Sequence, residues 1–87
     1  MNKFENVSAM INDTPMLEIS LRYQGIERKV YAKAEYYNFS GSIKDRIAYY
    51  ILKSSYEAGL IKKGDIIAEA TSGNTGIAFS AMGAYLG

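Results

Sequence analysis

At 87 residues the chain is one small domain or part of a larger one, and 48% apolar with 22% charged residues marks it as globular rather than disordered. Ten basic residues against nine acidic ones leave a net charge of +1, too little for a nucleic-acid binder that depends on phosphate contacts. Cysteine and histidine are both absent, which excludes a disulfide framework and a cysteine-based metal site and removes the commonest general base; no metal is expected.

In chain order, Asn6 to Ile11 is predicted as a short helix with Val7, Met10 and Ile11 on one side. Asn12-Asp13-Thr14-Pro15 is a turn signal, since proline fixes its own φ and pushes Thr14 toward an extended conformation. Leu17, Ile19 and Leu21 alternate with Glu18, Ser20 and Arg22, the period of a half-buried strand. Gly25 permits a hairpin turn, and the return strand is read over Lys29 to Glu35, with Val30, Ala32 and Ala34 on one face and Tyr31 and Lys33 on the other. The hairpin thus covers 17–35.

Tyr36 to Gly41 leads into a helix that runs to about Ala58, with Gly59 placed to end it. Ile43, Ile47 and Ile51, spaced by four, predict a stripe facing a core. Ser42 is the N-cap candidate, and Asp45 sets a negative charge near the positive end of the helix dipole. Lys44 is therefore held at the edge of a loop, on a rigid element, beside unpaired backbone N–H groups. With Arg46 nearby, local positive potential favours the neutral amine that a Schiff-base lysine must supply. Glu35 and Asp45 form an acid pair on paper, but no neighbour suggests hydrolytic work.

Lys62-Lys63-Gly64-Asp65 is a solvated turn, and Ile66 to Ala70 reads as a short buried strand. Thr71-Ser72-Gly73-Asn74-Thr75-Gly76 turns the chain into an apolar, alanine-rich helix over Ile77 to Leu86. A glycine-rich turn feeding a helix start is a ready anion site. Helix, strand and helix over 42–86 make part of a parallel α/β layer. The strand that such a crossover helix serves does not follow, so the sequence reads as cut. Most of the eight tyrosines are expected to be partly buried with the hydroxyl reaching water. No apolar run reaches the length of a membrane span and no signal-peptide pattern opens the chain, so a cytoplasmic location is expected.

Four stretches taken together, Asp13-Thr14-Pro15-Met16, Lys33-Ala34-Glu35, Ser40-Gly41-Ser42-Ile43-Lys44-Asp45-Arg46 and Thr71 to Gly76, resemble the fold-type-II pyridoxal-phosphate enzymes of the cysteine synthase and cystathionine β-synthase group. The resemblance runs from about Met10 to Gly87 and keeps the spacing between motifs. It implies that residues 1–87 are the N-terminal fragment of an α/β catalytic domain, a hairpin followed by the start of a parallel αβα layer, incomplete because family members are several times longer. It implies that Lys44 carries pyridoxal 5'-phosphate and then serves as the acid–base group for the substrate's α proton. Asn74 would hydrogen-bond the cofactor's ring hydroxyl oxygen, and Thr71, Ser72, Gly73 and Thr75 would hold the α-carboxylate of an amino-acid substrate.

The parent so implied replaces the β substituent of an activated serine, such as O-acetylserine, with sulfide to give cysteine. It would be a homodimer working on small molecules, with neither nucleic acid nor membrane as partner. A cystathionine β-synthase-like activity shares these motifs and stays open, as does a non-catalytic truncated piece that acts only by docking; the isolated chain is expected to be inactive. Two positions depart from the family pattern: Phe39 stands where proline is usual and Asn12 where glycine is usual. The family's phosphate-gripping loop and the serine that meets the pyridine nitrogen have no counterpart in these residues. The hairpin is expected to leave an apolar side bare.

Overall fold

The computed structural model of the chain describes residues 3–87. In order these form α1 (Lys3–Ser8), β1 (Met16–Tyr23), β2 (Ile26–Lys33), a 3-10 turn at Glu35–Tyr37, α2 (Lys44–Glu57) and α3 (Asn74–Leu86).

β1 and β2 pair antiparallel from Met16 opposite Lys33 to Tyr23 opposite Ile26. The two residues between them, Gln24 and Gly25, both take positive φ (50° and 77°), as in a type I′ turn whose twist matches the strands. Opposed residues share a face, so Leu17, Ile19, Leu21, Val30 and Ala32 lie together. The other face carries the ion pairs Lys29–Glu18 (3.0 Å) and Arg22–Glu27 (3.3 Å). Neither face is covered: across both strands only Ala32 is even partly shielded. The hairpin stands clear of every helix. The chain accordingly extends 57 × 30 × 19 Å, and its radius of gyration of 16.7 Å exceeds the roughly 12 Å of a compact chain this long.

The core belongs to the helices. Val7 and Ile11 from the α1 region meet Leu52 of α2 and Met82 and Leu86 of α3. Phe4 stands edge-on to Tyr49 and Tyr56, with centroids 6.1 and 5.3 Å away. Phe39, in the loop before α2, packs edge-on against Tyr85 at 6.0 Å. Packing therefore fixes the segment that a proline ring would otherwise restrain. α2 ends where Gly59 takes φ 74°, its N–H donating to Tyr56 O (3.1 Å) and that of Leu60 to Ser55 O (2.9 Å), a Schellman closure.

Several expectations change. The first helix lies at Lys3–Ser8, not 6–11: Val7 and Ile11 are buried as expected, but the chain leaves the helix at Ser8 and turns Met10 outward. The return strand stops at Lys33, since Ala34 is buried and donates to Pro15 O (2.8 Å) before the 3-10 turn. On α2 the buried positions are Asp45, Ala48 and Leu52, so the Ile43-Ile47-Ile51 stripe faces solvent. Two apolar stripes are present, and the helix turns inward the one that meets α1 and α3. Residues 66–70 form no strand, and Ile66 is 97% exposed. A strand needs a neighbour to pair with, and the hairpin is the only sheet among the described residues. α3 starts at Asn74, three residues earlier than predicted. Five of the eight tyrosines (Tyr23, Tyr31, Tyr36, Tyr37 and Tyr50) are exposed.

Candidate functional site

Lys44 is the first residue of α2, and its N–H donates to Ser42 Oγ at 3.2 Å. Ile43, already helical at φ −61° and ψ −19°, occupies the cap position without a side-chain bond. Ser42 thus receives a capping bond, with the helix starting one residue later than its N-cap role required. The Lys44 side chain is exposed, and its amine has no hydrogen bond or ion pair among the described residues.

The two residues after it are held firmly. Asp45 is fully buried and accepts from both the N–H and the hydroxyl of Ser40. A buried carboxylate needs such partners, and its place in the first turn also suits the positive end of the helix dipole. Arg46 makes a fork onto Glu35, Nε to Oε2 at 2.9 Å and Nη2 to Oε1 at 2.7 Å. It also donates to Asn12 Oδ1 (2.9 Å), Asn12 O (3.0 Å) and Thr14 Oγ1 (3.3 Å). Glu35 accepts two further bonds, from Thr14 Oγ1 (2.6 Å) and Asn38 Nδ2 (2.7 Å). Asn38 in turn donates to Ser42 O (3.1 Å) and accepts from Asn12 N (3.3 Å).

The Arg46 guanidinium, helped by Thr14 and Asn38, holds the Glu35 carboxyl down at about 2, well below its ordinary 4.5. Glu35 raises Arg46 in return. Glu35 and Asp45 do not work as an acid pair, in keeping with the absence of any neighbour suggesting hydrolysis: one is bound to Arg46 and the other to Ser40. One expectation does fall here. Arg46 is matched by Glu35, so it does not supply the uncompensated positive charge expected beside Lys44. Asn12 takes φ 81°, a left-handed conformation that asparagine tolerates and glycine adopts freely, which explains why glycine suits this position.

The second loop closes on Thr71. Its Oγ1 accepts from Gly73 N (3.2 Å) and Gly76 N (3.1 Å), so it shapes the loop and keeps only its hydroxyl proton to offer. A β carbon on Gly76 would stand 2.5 Å from Thr71 Cγ2, so only glycine lets this loop close as it does. Ser72, Gly73 and Asn74 are exposed, Thr75 is partly buried, and the Asn74 amide has no partner among the described residues. Gly73 O accepts from Ile77 N (3.1 Å), while the N–H groups of Asn74 and Thr75 lie in the first turn without a helical acceptor. Beside them runs an open groove of about 430 Å³ whose lining includes Ile67, Glu69, Thr71, Gly76 and Phe79.

Residues 71–76 are therefore gathered by Thr71, and Lys44 and Asn74 each begin one of two helices that pack together. No hydrogen bond joins Lys44 to the second loop among the described residues. The Asn12–Thr14–Glu35–Asn38–Arg46 network was not foreseen: its members are scattered over 35 positions and share no period. Its visible signal lay in the Asp13-Thr14-Pro15-Met16, Lys33-Ala34-Glu35 and Asp45-Arg46 pieces of the motifs.

A family model described as "Pyridoxal-phosphate dependent enzyme" matches residues 7–87. A probable cysteine synthase of Bacillus subtilis is 40% identical over 82 residues, covering 94% of this chain and 26% of that protein. A cystathionine beta-synthase of Dictyostelium discoideum is 39% identical over 83 residues, covering 95% and 17%. Among solved structures, the hydrogen sulfide-producing enzyme from Fusobacterium nucleatum superposes with a TM-score of 0.91 at 58% identity, covering 98% of this chain and 25% of that one. The chain spans about a quarter or less of the length of these relatives.

Proposed function

This chain belongs to the pyridoxal-phosphate dependent enzymes, in their cysteine synthase and cystathionine β-synthase group, and on that premise we propose that it carries the lysine end of an active site that replaces the β substituent of an activated serine with sulfide. Its fold is the matching part of a fold-type-II enzyme, and the family's cofactor is pyridoxal 5'-phosphate. The donor set suits that cofactor. Among the described residues the Lys44 amine and the Asn74 amide have no hydrogen-bond partner, and the start of α3 offers N–H groups without a helical acceptor to an anion. Those two groups without partners at two helix starts carry the reading.

When bound, the cofactor supplies an electron sink for negative charge at the substrate's α carbon. Lys44 Nζ would hold the cofactor and is the group that would take and return the α proton. Asn74 would donate to the ring oxygen. Thr71, Ser72, Gly73 and Thr75 would hold the substrate carboxylate at the positive end of the α3 dipole, the Gly73 N–H by leaving Thr71 Oγ1. The whole protein is read as a cytoplasmic homodimer working on a small amino acid without nucleic acid. No helix among the described residues is long and apolar enough to cross a membrane. With homocysteine in place of sulfide the same site would serve cystathionine synthesis.

One observation favours a second direction. The Fusobacterium relative, at 58% identity against 40% for the Bacillus one, is a hydrogen sulfide-producing enzyme. Sulfide would then leave the β carbon rather than add to it. Two assays of the full-length protein separate the readings: cysteine formed from O-acetylserine and sulfide, and sulfide released from cysteine. The 87-residue chain alone is expected to turn over neither. Given pyridoxal phosphate and borohydride, the full-length protein should carry a pyridoxyl mass on the Lys44 peptide in preference to others, and labelling spread evenly over all its lysines would sink the assignment of Lys44; spread labelling of the 87-residue chain alone, with no turnover, would support its being inactive.

A further inference from the structure

We infer that Arg46, locked to Glu35, is a positioning residue for Lys44: it fixes the first turn of α2 from behind, so that the amine leaves from one defined place. This rests on the reading of Lys44 as the cofactor-bearing residue. Being first in its helix, Lys44 has no N–H bond to a preceding turn, only a 3.2 Å contact to a serine hydroxyl. Helix ends with so little local support open readily. What holds this one must come from its neighbours.

Arg46 is built for that task. At 3.6 residues per turn, residues 44 and 46 lie about 200° apart around the axis, so a grip on Arg46 leaves the Lys44 face clear. The grip reaches two separate stretches of chain, Asn12 with Thr14 and then Glu35. Asn38, also on Glu35, holds the carbonyl of Ser42, whose hydroxyl takes the Lys44 N–H. A closed ring thus runs from Arg46 through Glu35, Asn38 and Ser42 back to Lys44. The fork of two parallel bonds sets orientation as well as distance, which a lysine at 46 would not do. Asp45 anchors Ser40 separately, so the loop itself survives a change at Arg46.

The test uses the full-length protein, given pyridoxal phosphate and reduced with borohydride, with Arg46→Lys and Glu35→Gln. Two quantities are read: amide hydrogen exchange along α2, and the ratio of pyridoxyl labelling at Lys44 to that at Lys29, an exposed hairpin lysine that serves as the internal standard. A displacement of about 1 Å at a reacting group costs on the order of a hundredfold, so a loss of at least about tenfold in the ratio is expected for both variants. Exchange should rise at residues 44–47 while the Leu52 and Met82 amides keep their protection. A wild-type ratio well above one that both variants retain overturns the positioning role and leaves the cofactor reading standing. A wild-type ratio near one defeats the cofactor reading and this inference with it. If Arg46→Lys exposes Leu52 as well, Glu35→Gln, which keeps the shape of the side chain, decides alone.

Discussion

The hairpin and the helical layer of this chain are held by opposite means. In the hairpin every backbone partner is local, the register is complete, and almost no side chain is covered. In the helical layer the local bonds matter less than a few contacts between distant residues: five core side chains, and a polar ring that joins Asn12 to Arg46. The difference teaches that an alternating apolar pattern specifies a strand and its pairing without specifying what covers it. Conversely, the groups around Lys44 owe their places to partners that no local pattern announces.

The sharpest way to break this contrast is a matched pair of truncations. Leu52→Ala removes one of the largest fully buried side chains from a thin core and should cost about 2–5 kcal/mol, a large share of the stability of so small a chain. Ile19→Ala, opposite Val30 on the uncovered face, should cost only roughly 0.2–1 kcal/mol, the worth of one cross-strand pair. Urea unfolding followed by helical circular dichroism measures both. Equal losses would mean that the hairpin packs on the helices after all.

Acid probes the polar ring in the same spirit. The Glu35 carboxyl titrates near 2 in the folded chain against an ordinary 4.5, so it binds fewer protons folded than unfolded. Its contribution is therefore complete above about pH 4.5 and is lost as pH falls from there toward 2. The urea midpoint should drop as pH falls from about 4.5 toward 2, and Glu35→Gln should flatten part of that drop. A variant that falls as steeply as wild type would show that the carboxylate stabilises nothing through Arg46. The hairpin ion pairs, both exposed, should each add little to stability.

How much of this was legible follows from where each signal lies. The alternation at Leu17, Ile19 and Leu21, the turn at Gly25 and the stop at Gly59 all sit within a few residues of what they determine, and each was read correctly. Lys44 and the 71–76 loop stood out through residue types at fixed spacing, and the structure sets Lys44 and Asn74 at the starts of α2 and α3. The isoleucine stripe misled because α2 carries two apolar faces, and only the positions of α1 and α3 decide between them. The strand at 66–70 failed for a related reason: its composition is right, but a strand exists only when something pairs with it. Asn12 shows the limit most plainly. Its type reads as a turn former, yet its left-handed φ and its two bonds to Arg46 depend on a residue 34 positions away.

Gly76→Ala asks how tightly the second loop is closed. Alanine gains up to about 1 kcal/mol of helix propensity over glycine, but its β carbon meets Thr71 Cγ2 at 2.5 Å, and overpacking costs roughly 1–3 kcal/mol. The clash should win narrowly, by about 1 kcal/mol. Thr71 would be pushed off the Gly73 and Gly76 N–H groups, visible as faster exchange at those two amides. Thr71→Ser, which removes the offending methyl, should rescue the variant if the clash is the cause.

The smallest effect tests the polar ring at its rim. Asn12→Gly relieves a left-handed residue at φ 81° but removes the Oδ1 that Arg46 Nη1 reaches; the Asn12 carbonyl still accepts from Nη2. Because Asn12 is exposed, water replaces the lost acceptor, and the two effects should cancel to within about 0.5 kcal/mol. Asn12→Ala loses the same acceptor and keeps the strained backbone, so it should be worse by about 1 kcal/mol. Thermal midpoints of the two variants decide between conformation and bonding. If glycine proves as harmful as alanine, the amide oxygen rather than the backbone is what ties this turn to the lysine helix.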